Sequence, residues 1–470
     1  MTITPAQIDV WRQVPRETPK LEFKEAKNSF DKTKLYRYCV AIANEGGGHL
    51  LLGISDERPR PVVGTSAFPN PGVIAEKLLI VLKFRVEVEA VEHSDGRVIV
   101  FLIPSRPKGT AYNHGGAYLM RSGEQLVPMS EDQLRRIFAE GQPDWLEGSA
   151  KSNCSDEDIV RLLDTQSYYD LQERTYPSTR AEVLRKFEQE HLIESATAGW
   201  NITRMGAILF AKRIEQDFPD LQSKAPRFVV YEQNNKLNTR MDIFGSKGYA
   251  VGFSGLVSFI MAQTPQSEVL SGALRESVKM FPEEAVRELL ANALIHQDFS
   301  QTGPSVRIEL FSDRLEISNL GLPPIDTERF IDEDKSRNER LADLMRRLRI
   351  CERKGSGFDR VVNATEVHQL PAPDIRLGTV HTSIVLFAHK DFKEMDRDDR
   401  IRATYQHCCL KYVMNEKMTN RSLRKRFQLP DKKAEPVSRA IREALDARLV
   451  QPADPSVTST RYRSYIPFWA

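Results

Sequence analysis

Apolar residues recur at helical spacing across residues 281–299, FPEEAVRELLANALIHQDF, where Val286, Leu289, Leu290, Ala293 and Leu294 share one face. Pro282, Glu283 and Glu284 suit a helix start, because the first turn tolerates a missing N–H and the helix dipole favours negative charge there. Glu288, Asn292 and His296 repeat at i, i+4 and i+8 and so form a separate polar stripe. Short β-rich runs follow at 306–311 and 315–318, joined by Ser312-Asp313-Arg314, and a closing strand is predicted over 382–387. Between these strands lie Asn319-Leu320-Gly321, a charged loop, a helix over 341–348 and Lys354-Gly355-Ser356-Gly357, which opens another helical segment.

Upstream, the pattern predicts a helix over 32–44, a glycine break at Gly46-Gly47-Gly48, and a buried strand over 49–54 that closes in Ser55-Asp56. Further strands are expected at 85–91, 98–103 and 117–121, with a helix over 130–139 capped by Ser130. Residues 141–156 read as a small, polar linker. Helices and then strands follow to about residue 273, with the clearest strand at 227–232, an amphipathic helix at 201–212 and a solvated loop at 231–240. After a charged linker at 391–400, a helix is expected over 402–417 and a short one over 423–427 capped by Asn420. A third helix, with Pro436 near its first turn, is expected to end at Leu449, and two strands end the chain. The fold class is α+β multidomain, with domains at 1–140, 156–390 and 401–470.

Charge changes this picture at one end. Residues 401–470 hold fourteen Lys and Arg against six Asp and Glu, a net of about +8 within a chain whose total is +2. A polyanion would dock there. The five cysteines lack paired spacing, which argues against a disulfide framework or a zinc site. With no run of eighteen apolar residues and no signal-like start, a soluble, cytoplasmic protein is expected, without a membrane partner.

The order of the Glu288-x-x-x-Asn292 helix, the Asn319-Leu320-Gly321 turn, Gly355-Ser356-Gly357 and the closing strand resembles the gyrase, histidine kinase and MutL superfamily of ATP-binding folds. That resemblance implies a two-layer α/β sandwich holding ATP and Mg²⁺. Asn292 would reach the metal and Glu288 would activate water. Asn319 and Gly321 would lie near the adenine, Gly355, Ser356 and Gly357 near the phosphates, and Thr382 behind the base. The charged loop would be a lid, with Arg337 as a mobile phosphate contact. Two departures stand out. Asn319 replaces the usual Asp, although its carbonyl oxygen can still accept a hydrogen bond. His296-Gln297-Asp298-Phe299 replaces a divergent branch's His-Arg-Asp-Tyr, so weak or absent hydrolysis is expected.

The first 140 residues, with Glu17, then Glu22-Phe23-Lys24, a helix ending Ala-x-Ala-Asn, a strand ending Gly-Ile-Ser-Asp56 and later Tyr-Leu-Met-Arg121-Ser-Gly, resemble the AlbA-type nucleic-acid domain of the Schlafen group. The resemblance maps a metal-binding catalytic triad onto Glu17, Glu22 and Asp56, which would hold Mg²⁺ or Mn²⁺. Lys24 would complete the catalytic set and, with Arg121, hold the phosphodiester backbone. A plainer reading has Glu22 pairing with Lys24 or Arg121 and Asp56 capping a turn. The C-terminal pattern resembles a winged helix-turn-helix, with Ser438, Arg439 and Arg442 on the recognition helix and Arg461 and Arg463 on the wing. It can also be a dimerisation or docking module. Two functions follow as expectations. One is a nucleotide-gated nuclease acting on RNA or DNA, in defence against foreign nucleic acid. The other is an ATP-responsive DNA-binding regulator that does not cut. A homo-oligomer is expected in either case.

Overall fold

The structure is a computed structural model that describes residues 3–13, 20–57, 59–122, 125–141, 144–271, 274–333, 335–351, 357–457, 459 and 463–470. Glu17, Gly355, Ser356 and Arg461 lie outside the described residues. The chain divides into two compact units, Met1–Pro143 and Asp144–Ala470.

In the first unit, strands β1 (Leu21–Lys24), β2 (Gly48–Leu52), β3 (Glu87–His93) and β4 (Gly96–Ile103) form a sheet of order β1-β2-β4-β3. Only β1 and β2 run parallel. The connection between them is helix α1 (Lys32–Asn44), as parallel neighbours require a crossover. Period-2 alternation in β1 sends Leu21 and Phe23 into one core layer with Leu51 and Val100, while α1 packs Leu35, Cys39 and Ile42 on Leu50, Leu52 and Phe101. The alternation leaves Glu22 and Lys24 together on the α1 side. Asn44, at the end of α1, donates to the carbonyls of Tyr112 and Leu119 and accepts from the Tyr112 N–H, pinning the hairpin that carries β5 (Ala117–Ser122) and Arg121.

The second unit begins differently from expectation. The supposed linker contains strand β6 (Ser149–Cys154), which pairs antiparallel with β8 (Gly199–Thr203), itself paired with β7 (Ile193–Ala196). Its polar composition conceals the pairing because the partner lies about fifty residues away. The helix expected over 201–212 correspondingly starts only at α3 (Arg204–Phe210): residues 199–203 are committed to backbone pairing on both sides, and the Thr203 hydroxyl caps α3 by accepting from the Gly206 N–H.

Beyond it stands a six-stranded sheet of order β10-β9-β11-β12-β14-β13, formed by β9 (Arg227–Tyr231), β10 (Thr239–Phe244), β11 (Arg307–Leu310), β12 (Arg314–Leu320), β13 (Asp374–Leu377) and β14 (His381–Phe387). Helices α4 (Tyr249–Gln263), α5 (Glu283–His296) and α7 (Gly357–Val367) cover one face, with Leu289, Leu290 and Leu294 buried against Ile308 and Ile317. Between β12 and α7 lies α6 (Glu339–Arg347). The opposite face carries Glu309, Glu316 and Arg314, so the sandwich has two layers.

The chain ends in α8 (Arg397–Val413), β15 (Met418–Thr419), α9 (Asn420–Arg426), α10 (Ala434–Asp446), β16 (Val450–Pro452) and β17 (Ser464–Pro467), with sheet order β15-β17-β16. α8 starts inside the expected charged linker because Asp396 caps it by accepting from Asp399 N–H. Asn420 is not the cap of α9. Thr419 and Ser422 form a capping box there, and Asn420 instead donates to Ala434 O and the Ser438 hydroxyl, tying α9 to α10. Among the described residues no helix is long and apolar enough to cross a membrane.

Candidate nucleotide site and N-terminal ion cluster

α5 buries its apolar stripe and presents the polar one to a cavity of about 170 Å³ under the lid. Glu288, Asn292, His296, Asn319, Gly321, Gly357 and Thr382 all line it, from segments spread over nearly a hundred residues. The polar stripe and the described members of both glycine turns therefore meet at one site. The α5–α7 approach is close: a methyl built on Gly357 would stand 2.1 Å from Glu288 Oε1 and 3.4 Å from Asn292 Nδ2. Gly321 adopts φ +104°, a left-handed conformation that favours glycine. Its N–H donates to Val380 O, and its carbonyl accepts from the Thr382 hydroxyl at 2.7 Å, locking the turn to β14. Asn319 is buried and donates through Nδ2 to Leu320 O.

The lid is anchored rather than loose. Asn338 donates to the carbonyls of Ile295 and Gln297, and Arg337 donates to Leu322 O at 2.6 Å while lying 3.6 Å from Asp298. Arg337 thus braces the first glycine turn. The lid residues that line the cavity are Phe330, Glu333, Lys335 and Ser336, with Arg346 from α6. Lys335 and Arg346 are cations to which sequence reasoning assigned no role; for Lys335 its place in the same charged loop was the signal.

Burial pushes the His296 imidazole down to about 4, and the Arg337 guanidinium adds to the shift. His296 is therefore neutral at pH 7. Because this folded-state value lies below the ordinary 6.5, the unfolded chain takes up the proton first as pH falls. Stability contributed by neutral His296 is present above pH 6.5 and is lost between about 6.5 and 4. Denaturant melts at pH 7 and pH 4.5 should show a smaller acid loss for His296→Asn than for the parent protein.

In the N-terminal unit, Glu22 is fully buried. Its Oε1 lies 3.0 Å from Lys24 Nζ, and its Oε2 pairs with the Arg121 guanidinium. Lys24 Nζ also donates to Asp56 Oδ2 at 2.5 Å. Burial alone would lower the Lys24 ammonium, but the Asp56 hydrogen bond and the Glu22 charge hold it above its usual value. Tyr38 lies beside this cluster, and burial and then Glu22 push its hydroxyl up to about 12. Glu22 and Asp56 do converge, then, on a cation supplied by the chain. Among the described residues no group of three Asp, Glu, His or Cys side chains is placed to hold a metal ion. Of the expected triad, Glu17 lies outside the described residues; Glu22 through both oxygens and Asp56 through Oδ2 are set on Lys24 and Arg121, an arrangement that suits an ammonium and a guanidinium rather than a divalent ion. At the nucleotide cavity the residue types do fit: Glu288 and Asn292 both line the wall, and a carboxylate and a side-chain amide carry the hard oxygens that Mg²⁺ takes.

At the C-terminal end, Ser438, Arg439 and Arg442 are exposed on one face of α10, beside Lys432 and Lys433. Arg463 donates to Val457 O.

Residues 17–130 match the family Schlafen, AlbA_2, and residues 303–386 match HATPase_c_4, described as "Putative ATP-dependent DNA helicase recG C-terminal". The second match begins after α5, so the Glu288–Asn292 helix joins that region through the fold. No curated protein gives a significant sequence match. Among solved structures, the DIP2311 protein from Corynebacterium diphtheriae is similar at 16% identity, covering 98% of this chain and 96% of its own, with a TM-score of 0.44. The N-terminal domain of a RecG-related protein from Nitrosomonas europaea is similar at 18% identity, covering 28% of this chain and 92% of its own, with a TM-score of 0.21.

Proposed function

We propose that this chain, in which a Schlafen-type AlbA_2 domain precedes a HATPase_c_4 domain, is a nucleotide-responsive nucleic-acid-binding protein. The observation that carries the reading is that Glu288, Asn292, Asn319, Gly321, Gly357 and Thr382 line one shared cavity. ATP fits it as ligand: the Asn319 carbonyl oxygen would accept from the base amino group, and Glu288 and Asn292 would hold Mg²⁺ at the phosphate end. Bound Mg²⁺ would neutralise phosphate charge. With His296 neutral, Lys335 from the lid and Arg346 from α6 are the cations among the described residues that line the same space.

What makes the site a switch is its grip on the C-terminal helices. The root of the lid is a 3₁₀ turn, Thr327–Arg329. The Tyr405 hydroxyl of α8 donates to Glu328 O at 2.5 Å, and Trp469 donates to the Tyr405 oxygen at 3.1 Å. The Arg329 guanidinium lies 4.7 Å from the Trp469 ring and pairs with Asp332 and Glu333. Next to it, Phe330 packs edge-on to Phe358 at 5.7 Å and lines the cavity. A ligand that re-seats Phe330 and Glu333 must therefore disturb Arg329 and, through it, the α8 and Trp469 contacts. The α10 face with Ser438, Arg439 and Arg442 is the proposed nucleic-acid surface of a winged helix, with Arg463 on its wing.

Fluorescence anisotropy with labelled duplex and single-stranded DNA and RNA tests this directly. Mg-ATP should change affinity about tenfold, within the usual range of coupling between sites. Asn292→Ala should abolish that change, and Trp469→Ala should reduce it while leaving ATP binding intact. Equal affinities with and without nucleotide would refute the reading. Cleavage by Glu17, Glu22 and Asp56 remains the alternative from the Schlafen resemblance. Incubating the same labelled substrates with Mn²⁺ and ATP distinguishes it, because a binding protein returns them intact.

A further inference from the structure

We infer that Lys24 is the resident cation of the Glu22–Asp56 pair: it occupies the place a divalent ion would take, so nucleic-acid contact by the N-terminal unit needs no metal at that position. Glu22 and Lys24 lie two residues apart on one face of a strand held in parallel register with β2, Glu22 opposite Leu50 and Lys24 opposite Leu52. That rigid spacing keeps the ammonium beside the buried carboxylate, and the G-I-S-D turn after β2 brings Asp56 to its other side. The Tyr38 ring closes the box at 5.9 Å from Nζ.

Space and charge both make the occupancy exclusive. An ion bridging Glu22 Oε1 and Asp56 Oδ2 would need metal–oxygen distances of about 2.0–2.2 Å for Mg²⁺, which places it in the volume Nζ fills between the same two oxygens. Among the described residues three carboxylates stand here, since Glu45 lies beside Arg121 and is partly buried there. Lys24 and Arg121 bring two positive charges against those three negative ones. Adding a divalent ion would leave excess positive charge in a half-buried cluster, whereas exchanging Lys24 for the ion would give neutrality. A neutral side chain of similar length at position 24 should therefore turn the cluster into a metal site.

The experiment is Mn²⁺ binding to the full-length, nucleotide-free protein, read by the loss of free-ion electron paramagnetic resonance signal and by calorimetry. The parent protein should show no Mn²⁺ site that Asp56→Asn removes, and its nucleic-acid affinity should be the same in EDTA and in Mn²⁺. Lys24→Met should gain a single site, and Lys24→Met with Asp56→Asn should lose it again. Lys24→Arg, which keeps the charge, should gain none. Lys24→Met leaves Glu22 paired with Arg121, so the domain should keep its fold; a cooperative thermal transition checks this. The inference is overturned if the parent protein already holds Mn²⁺ at an Asp56-dependent site, or if folded Lys24→Met gains none. Neither result bears on the nucleotide cavity, which is assayed separately by ATP binding.

Discussion

Replacing Gly357 by alanine should cost this protein at least about 100-fold in Mg-ATP affinity, about 2.7 kcal/mol, without unfolding it. The added methyl would fall 2.1 Å from Glu288 Oε1, far inside van der Waals contact, and 3.4 Å from Asn292 Nδ2. Glu288 is buried on α5, whose neighbouring residues Leu289 and Leu290 are fixed in the core, so the backbone cannot retreat. Relief must come from rotating the Glu288 side chain into the cavity or from moving the start of α7. Either change spoils the two oxygen donors together. Local backbone propensity works the other way, since alanine is the better helix former by up to about 1 kcal/mol. A binding loss with a thermal midpoint that stays put or rises would separate this steric effect from misfolding. Calorimetry showing Gly357→Ala within threefold of the parent protein would remove Glu288 and Asn292 from the nucleotide site.

The second large effect is expected at the seam between the sandwich and the C-terminal helices. Glu366, near the end of α7, lies 2.9 Å from His407 Nδ1 of α8 and 3.3 Å from Arg426 Nε of α9. His407 Nε2 meets the Ser422 hydroxyl at 3.1 Å, and Arg426 donates to Leu370 O at 2.5 Å. The Arg426 side chain is only 2% exposed, and its burial pulls the guanidinium below its usual value. Removing the carboxylate that answers this cation among the described residues should cost about 3–5 kcal/mol, as for other buried pairs broken from one side. Denaturant unfolding of Glu366→Ala should show that loss, and the ATP effect on nucleic-acid affinity should vanish with it. Glu366→Gln keeps the shape and part of the hydrogen bonding, so it should fall between the two. A loss below about 1 kcal/mol for Glu366→Ala would mean the seam is wet and the coupling route lies elsewhere.

Periodicity alone determined α5, because its apolar and polar stripes obey the same 3.6-residue repeat and need no partner to be distinguished. The α1 helix, the strands β2, β3 and β4 of the first sheet, and β9, β11, β12 and β14 of the six-stranded sheet were legible for the same reason: each buries one face, and burial writes its period into the residues; β10 and β13, at the two edges of that sheet, were not. The polar stripe even indicated which α5 side chains would leave the core. Pairing was what the chain could not announce. Residues 149–154 look like a linker because an edge strand with polar side chains carries no apolar alternation, and only β8 supplies its partner. The cation between Glu22 and Asp56 is likewise decided by tertiary structure: Glu-Phe-Lys reads equally as a metal ligand beside a phosphate-binding lysine or as an ion pair. It is the parallel register of β1 on β2, with Asp56 brought round beyond it, that puts Nζ between the two carboxylates. Tyr405 and Trp469 gave no functional signal at all, since a capped lid root 77 residues away from Tyr405 is reached only when α8 docks. Local pattern sets which faces are buried; long-range packing sets which buried charges and carbonyls meet.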